Sequence, residues 1–165
     1  MPQQDEIPRF VEVADAMKAR DWDTATKLGR ERVPLHNQMG LKVVDQEGNT
    51  VVMTMELSES VRGGAGAPIH GGILATFADV ASATALFGSY DETTMAVTTD
   101  MHIRYYRQPR AGPLRAEATL VHRGQRLLST ECSIADAEGR ILTRSTATYM
   151  LVPRPGSDLA AGTTP

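Results

Sequence analysis

Cysteine is almost missing from this chain: Cys132 is the only one in 165 residues. A lone thiol excludes an intramolecular disulfide, and no second cysteine stands near a histidine to give a zinc-site spacing. Cys132 lies in an alternating apolar segment and reads as a packing residue. Long hydrophobic runs are missing as well, so no stretch is expected to span a bilayer. The opening MPQQDEIPRF lacks the basic-then-apolar pattern of a secretory leader. A cytoplasmic protein without a membrane partner is the expectation. Positive charge is in deficit, 17 Lys and Arg against 20 Asp and Glu for a net charge of -3, which argues against a general nucleic-acid footprint. The low hydropathy of a disordered chain is also lacking, since 41% of residues are hydrophobic and 22% charged. The length suits one domain with a sizeable core rather than two.

What is present is two kinds of periodicity. From Ile7 to Arg32 apolar residues recur at three- and four-residue spacing (Phe10, Val13, Met17, then Trp22, Ala25, Leu28), which predicts two short helices broken near Asp21. Asp21 is placed to cap the second helix with its carboxylate. From His36 the period changes to two, and LKVVDQEGNTVVMTMEL predicts a hairpin turning at Glu47-Gly48-Asn49. Val51, Met53, Met55 and Leu57 share one face of it. A glycine-rich loop from Ser58 to Pro68 then leads into an apolar helix ending near Gly88. Four more alternating segments follow, MAVTTDMHIRYY, LRAEATLVHRG, LLSTECSIADAEG and ILTRSTATYMLV. Their connections are too short for crossover helices, so these strands are expected to be antiparallel neighbours. The chain divides into a helical extension over 1–35, a sheet-and-helix domain over 36–152, and a tail over 153–165 expected to be disordered.

The long helix poses the functional question. Between Ile73 and Phe87 its one charge is Asp79. A helix without a polar face is normally buried on all sides, here against the concave face of the sheet. Ala75, Ser82 and Ala83 share the side of Asp79 and leave space beside it. Burying an ionised carboxylate is costly, so folding alone favours Ala or Leu at position 79. A structural aspartate held by a backbone or threonine group is the competing explanation. At the start of the helix, Gly71 and Gly72 follow His70 where backbone N–H groups lack intrahelical partners, and a carbonyl oxygen placed there would be polarised. Paired glycines also make a tight turn into a helix, so the two features inform only in combination.

The segment HGGILATFAD, a His-Gly-Gly with an aspartate nine residues after the histidine, resembles the motif of hotdog-fold acyl-CoA thioesterases of the phenylacetate-degradation type. The downstream AVTTDMHIRYYRQPRAGPLRAEATLVHRGQR is similar to that family's long strand and following hairpin, and the likeness extends over roughly residues 36–152. It implies an α+β fold in which an antiparallel sheet of five or six strands wraps a long central helix, assembled as a homodimer or homotetramer. The implied activity is hydrolysis of an acyl-CoA or aryl-acyl-CoA to the free acid and coenzyme A, which enters as part of the substrate; no other cofactor and no metal is implied. In such enzymes the N–H matching Gly71 binds the thioester carbonyl. The carboxylate matching Asp79, contributed across the subunit interface, acts as general base or nucleophile. Thr98 matches a position that commonly carries a hydroxyl near the attacking water, although strand propensity explains a threonine equally well. His70 and Gly72 match positions that shape the helix start and the substrate contact, a capping or packing histidine being the alternative.

Many relatives carry asparagine six residues before the histidine, where this chain has Gly64. That contact is then missing, or supplied by backbone or by a neighbour such as Arg62. Arg123 and Arg126 flank Gly124 where the family often meets the nucleotide end of coenzyme A, and guanidinium suits phosphate; solvated hairpin arginines are the ordinary explanation. The rival from another class is a non-catalytic acyl-CoA-binding or sensing module of the same fold. A hydratase is disfavoured because the Asp/His or His/Glu pairs of those enzymes are not apparent.

Overall fold

The computed structural model describes residues 10–62, 67–110 and 112–155. Gly64, the first nine residues and the tail from 156 onward, which include three of the expectations above, lie outside the described residues. Helix α1 (Phe10–Lys18) and helix α2 (Trp22–Arg32) form where the periodicity predicts them. The break between them is made by Arg20, which takes a left-handed φ of 58°. Asp21 then caps α2 by accepting from the Thr24 N–H at 3.1 Å.

A short helix α3 (Pro34–Gln38) occupies the point where alternation was expected to begin. Pro34 at its first turn is the cause: proline lacks the N–H that a helix start leaves unpaired and has the right φ. The strands therefore start later, with β1 (Lys42–Glu47) and β2 (Thr50–Met55) turning at Gly48, as the spacing predicts. Val51, Met53 and Met55 are buried on the inner face.

The central helix α4 (Gly71–Ala85) begins three residues after Pro68, because Ile69 is still bridged to Arg62 in extended pairing. Gln108 fixes that approach from both sides, its amide donating to the Ile69 carbonyl at 3.2 Å and accepting from its N–H at 3.1 Å. Beyond α4 come β3 (Thr94–Tyr105), β4 (Leu114–Arg123), β5 (Leu127–Ala135) and β6 (Ile141–Pro153). All six strands form one antiparallel sheet in the order β1-β2-β4-β5-β6-β3. So β4, β5 and β6 are sequential neighbours, but β3 pairs with β6 at the sheet edge instead of with β4. Connection length did not forbid this. Strands β3 and β4 are three positions apart, about 14 Å, and the connecting residues 106–113 reach roughly 26 Å when extended.

Helix α4 lies on one face of this sheet, packed against β2, β3, β4, β5 and β6. Leu74, Phe77, Ala78 and Ala81 are buried against Leu114, Ala116, Ala118 and Ile134. The expectation that the helix is enclosed on every side fails on one stripe. Gly72 is exposed, while Thr76, Asp79 and Ala83 are only half-buried, and the spacing of these four positions places them on a single side. Among the described residues no helix is long and apolar enough to cross a membrane.

Candidate active site

Asp79 sits midway along α4, and two strands supply its partners. Thr98 on β3 and Tyr149 on β6 are directly paired across the ladder, so both side chains leave the same face of the sheet. The Thr98 hydroxyl donates to Asp79 Oδ1 at 2.9 Å, and the Tyr149 hydroxyl donates to the same oxygen at 2.9 Å. Tyr149 also reaches the Asp79 carbonyl at 3.1 Å. Burial, reinforced by the negative charge of Asp79, pushes the phenol well above its ordinary range. The Tyr149 O–H therefore stays a donor across ordinary pH. Two donors on Oδ1 hold the carboxylate in one orientation and leave Oδ2 for a water or substrate atom.

Strand β3 is irregular just beyond Thr98. Its register against β6 shifts between Thr98 and Asp100, so Thr99 is an inserted residue and its hydroxyl donates to the Thr148 carbonyl at 3.0 Å. After this bulge Met101 and Ile103 pack against the core.

Asp79 opens onto a cavity of about 350 Å³ bounded by α4, α1, α2 and the start of β3. Val80 and Ala83 of α4, Phe87 just beyond its end, Phe10, Val13 and Met17 of α1, and Met95 line it. Phe77 and Leu86 are fully buried in the core and do not reach it. His36 borders the cavity, and burial holds its imidazole below the usual range, so it adds no second charge near neutral pH.

At the other end of α4, no side chain caps the helix at His70. His70 is exposed and makes no side-chain hydrogen bond among the described residues, which removes the capping explanation. The first N–H groups, at Gly71 and Gly72, are thus left for other partners. Gly71 lies against the ring of Tyr105 from the end of β3: a Cβ there would stand 3.3 Å from the ring, tight enough that one of the two must give. Gly72 has open space around it. Eight residues of helix separate Gly71 from Asp79, a rise of about 12 Å.

Three comparisons bear on this arrangement. Residues 68–143 match the thioesterase superfamily model. A crystal structure from the thioesterase superfamily is 26% identical with a TM-score of 0.66, covering 84% of this chain and 96% of that one. A thioesterase of Haemophilus influenzae is 20% identical with a TM-score of 0.66, over 71% of this chain and 81% of that one. The chain has the hotdog fold. The PaaI protein of Escherichia coli, from a phenylacetic acid degradation operon, is also a hotdog neighbour at 20% identity and a TM-score of 0.67, over 85% of this chain and 94% of that one. No curated protein matches the chain by sequence.

Within this hotdog fold the matched region begins at Pro68, so α1 and α2, which roof the cavity, lie outside it. Of the residues singled out from the sequence, the structure brings Asp79 and Thr98 into contact and sets Gly71, Gly72 and His70 together at the helix start. Arg123 and Arg126 are exposed at the turn between β4 and β5. Arg123 donates to the Ser89 carbonyl at 2.9 Å, beyond the C-terminal end of α4. Both flank a turn where glycine is required, because a Cβ at Gly124 would meet the Leu127 carbonyl oxygen at 2.8 Å. Arg62, the suggested substitute for the missing asparagine, donates instead to the Ala67 carbonyl at 3.2 Å. Sequence reasoning missed Tyr149, Tyr105 and Gln108. Tyr149 had one available signal, its inward parity with Ala147 and Ser145 on β6, since a buried tyrosine hydroxyl needs a partner. Nothing in the order of residues said that the partner is Asp79.

Proposed function

We propose that this chain is an acyl-CoA thioesterase, of the phenylacetate-degradation type that its His-Gly-Gly motif resembles. The observation that carries the reading is the Asp79 carboxylate, oriented by Thr98 and Tyr149 at the wall of an apolar cavity. In this reading the thioester carbonyl oxygen accepts from the Gly71 N–H, where the helix dipole favours developing negative charge. Asp79 Oδ2 either takes a proton from an attacking water or attacks the carbonyl carbon itself. The tetrahedral species then collapses, the carbon–sulfur bond breaks, and the thiolate leaves as coenzyme A once protonated; in the direct-attack route water then hydrolyses the acyl–Asp79 anhydride to the free acid and restores the carboxylate. Asp79 and the exposed helix start are the chemistry supplied, and no resident cofactor or metal is invoked.

The separation of about 12 Å between Gly71 and Asp79 of one chain is too long for one carbonyl to meet both. The reading therefore places Gly71 of one subunit opposite Asp79 of another, in a homodimer that can pair further into a homotetramer. β3, twelve residues long with a free edge, offers the surface for it. The proposal keeps the hotdog domain at 36–152, with the helices of 1–35 as an extension that α3 straddles. It places the protein in the cytoplasm. Arg123 and Arg126 remain candidates for the coenzyme A phosphates of the assembled enzyme.

The test is thiol release from a panel of acyl-CoAs by wild type and Asp79→Asn, with oligomeric mass measured by light scattering. Turnover should fall by roughly 10²-fold or more in the variant at unchanged mass. Binding of acyl-CoA without turnover in the wild type would instead favour the sensing-module reading.

A further inference from the structure

The cavity beside Asp79 has a wall that the sheet and central helix do not supply. Ala25, Gly29 and Arg30 of α2 close it together with the residues of α1. Gly29 stands inside α2, where glycine is the poorest helix former after proline. It lies one turn after Ala25, which is 2% exposed, so it belongs to the inward stripe of that helix. Close packing does not account for it. A Cβ at Gly29 would meet nothing within 4 Å, whereas one at Gly71 or Gly124 would meet neighbours at 3.3 and 2.8 Å. An inward position of a helix has therefore been kept free of a side chain with no atom of the described residues occupying the space.

Size and lining say what fits there. An apolar cavity of ~150 Å³ holds benzene, and this one is about 350 Å³. Phe10 stacks on Phe87 at 4.9 Å and on Tyr90 at 5.6 Å, and all three rings line the cavity. The three arginines that line it, Arg30, Arg32 and Arg154, are each engaged with the protein. Arg30 Nε donates to the Leu41 carbonyl at 2.8 Å, and Arg154 donates to the Glu92 and Thr94 carbonyls while lying over the Phe10 ring. The wall is thus mainly apolar and rich in aromatic faces, with Thr26, His36 and Thr84 as its neutral polar members, and it includes the Asp79 carboxylate.

We infer that this cavity is the acyl pocket, that helices α1 and α2 set its specificity, and that it takes a compact acyl group bearing an aromatic body of up to two rings. The inference rests on the thioesterase reading for the chemistry, but the pocket is argued from Gly29, the ring cluster and the volume alone. The acyl body would lie beneath Gly29 and against the Phe10 and Phe87 rings, with its carbonyl carbon beside Asp79.

The experiment compares wild type with Gly29→Leu in two ways. The first is kcat/KM on acetyl-, octanoyl-, 2-naphthoyl- and palmitoyl-CoA. The second is calorimetric binding of free 2-naphthoate, which needs no catalysis. Wild type should favour 2-naphthoyl-CoA over palmitoyl-CoA, and Gly29→Leu should lower the naphthoyl-to-acetyl ratio roughly tenfold or more while weakening 2-naphthoate binding. If Gly29→Leu does not fold, Gly29→Ala carries the same comparison with a smaller change in the same direction. A preference for palmitoyl-CoA, or an unchanged ratio with unchanged 2-naphthoate affinity in a folded variant, overturns the pocket and leaves the thioesterase standing. If no thioester is cleaved but 2-naphthoate binds and the variant loses it, the activity reading falls and the pocket stands.

Discussion

Replacing Tyr149 by phenylalanine removes one hydroxyl and little else, and the structure fixes what is lost. The hydroxyl makes two contacts, to Asp79 Oδ1 at 2.9 Å and to the Asp79 carbonyl at 3.1 Å. The carbonyl lies in mid-helix, where it already has a helical partner, so that bond adds little. The bond to the carboxylate is assisted by charge, and such bonds contribute about 1.5–3 kcal/mol. Thr98 still donates to the same oxygen, which favours the lower part of that range. A loss of about 2 kcal/mol lowers Tm by roughly 4–8 °C in a chain of this size. If the same bond aims the carboxylate during turnover, losing about 2 kcal/mol from the transition state slows kcat roughly thirty-fold, with KM little changed because the acyl group touches other residues. Thermal melts and thiol-release kinetics on Tyr149→Phe, Thr98→Val and the double variant would measure both effects. Because the two donors share one acceptor, the double variant should depart from additivity. A Tyr149→Phe protein with the lowered Tm and a wild-type kcat would refute the reasoning, leaving Tyr149 a stability residue alone.

Gly71→Ala forces the ring of Tyr105 to move, since the new Cβ would stand 3.3 Å from it; activity should fall, and Tyr105→Ala in the same chain should recover part of it in a thiol-release assay. Cys132 is buried and its thiol is pushed up to about 12 by that burial, so 5,5′-dithiobis(2-nitrobenzoate) at pH 8 should label it only after denaturant is added. Asp136 is bonded to Arg140 and to backbone N–H groups of Arg110, Glu138 and Arg140. The Arg140 side-chain bond, against the opposing effect of burial, lowers its pKa from 3.8 to about 2. Its folded value lies below its unfolded one, so its contribution of roughly 2 kcal/mol is complete above pH ~4 and disappears as pH falls through ~2. Urea melts should show wild type losing more stability over that window than Asp136→Asn. Gly29→Ala should raise Tm by about 2–4 °C, because helix propensity improves by roughly 1 kcal/mol with nothing to clash against; a lowered Tm would mean that the space beneath α2 is smaller than it looks.

Local chemistry was readable in the order of residues. The 3.6-residue and two-residue periods mark α1, α2, α4 and the strands, the Asp21 cap and the Gly48 turn, because each depends on neighbours within a few positions. The five-residue α3 carries too short a pattern to compete with the alternation that follows, and Pro34 was its only signal. Strand order was beyond reach for another reason: the chain from Tyr105 to Leu114 is long enough to cross the sheet or to turn back, so its length does not choose. Asp79 stood out because a charge in an apolar helix is locally anomalous. Its partners did not, since Thr98 and Tyr149 meet through a register linking residues 51 positions apart in sequence. The acyl cavity is further removed still, as α1 and α2 come to roof α4 only through tertiary packing.

The bulge in β3 determines the phase of the whole strand. Counting by twos from Thr98 arrives at Arg104 and passes over Tyr105, so in an uninterrupted strand these two residues point to opposite faces. With Thr99 inserted, Thr98 reaches Asp79 in the middle of the central helix and Tyr105 reaches Gly71 at its start. One residue thus acts as the clutch between odd and even numbering, letting a single strand attend to both ends of the proposed chemistry. Drawing Thr99 into a regular ladder would shift the pairing beyond it by one residue and turn Met101, Ile103 and Tyr105 to the opposite face.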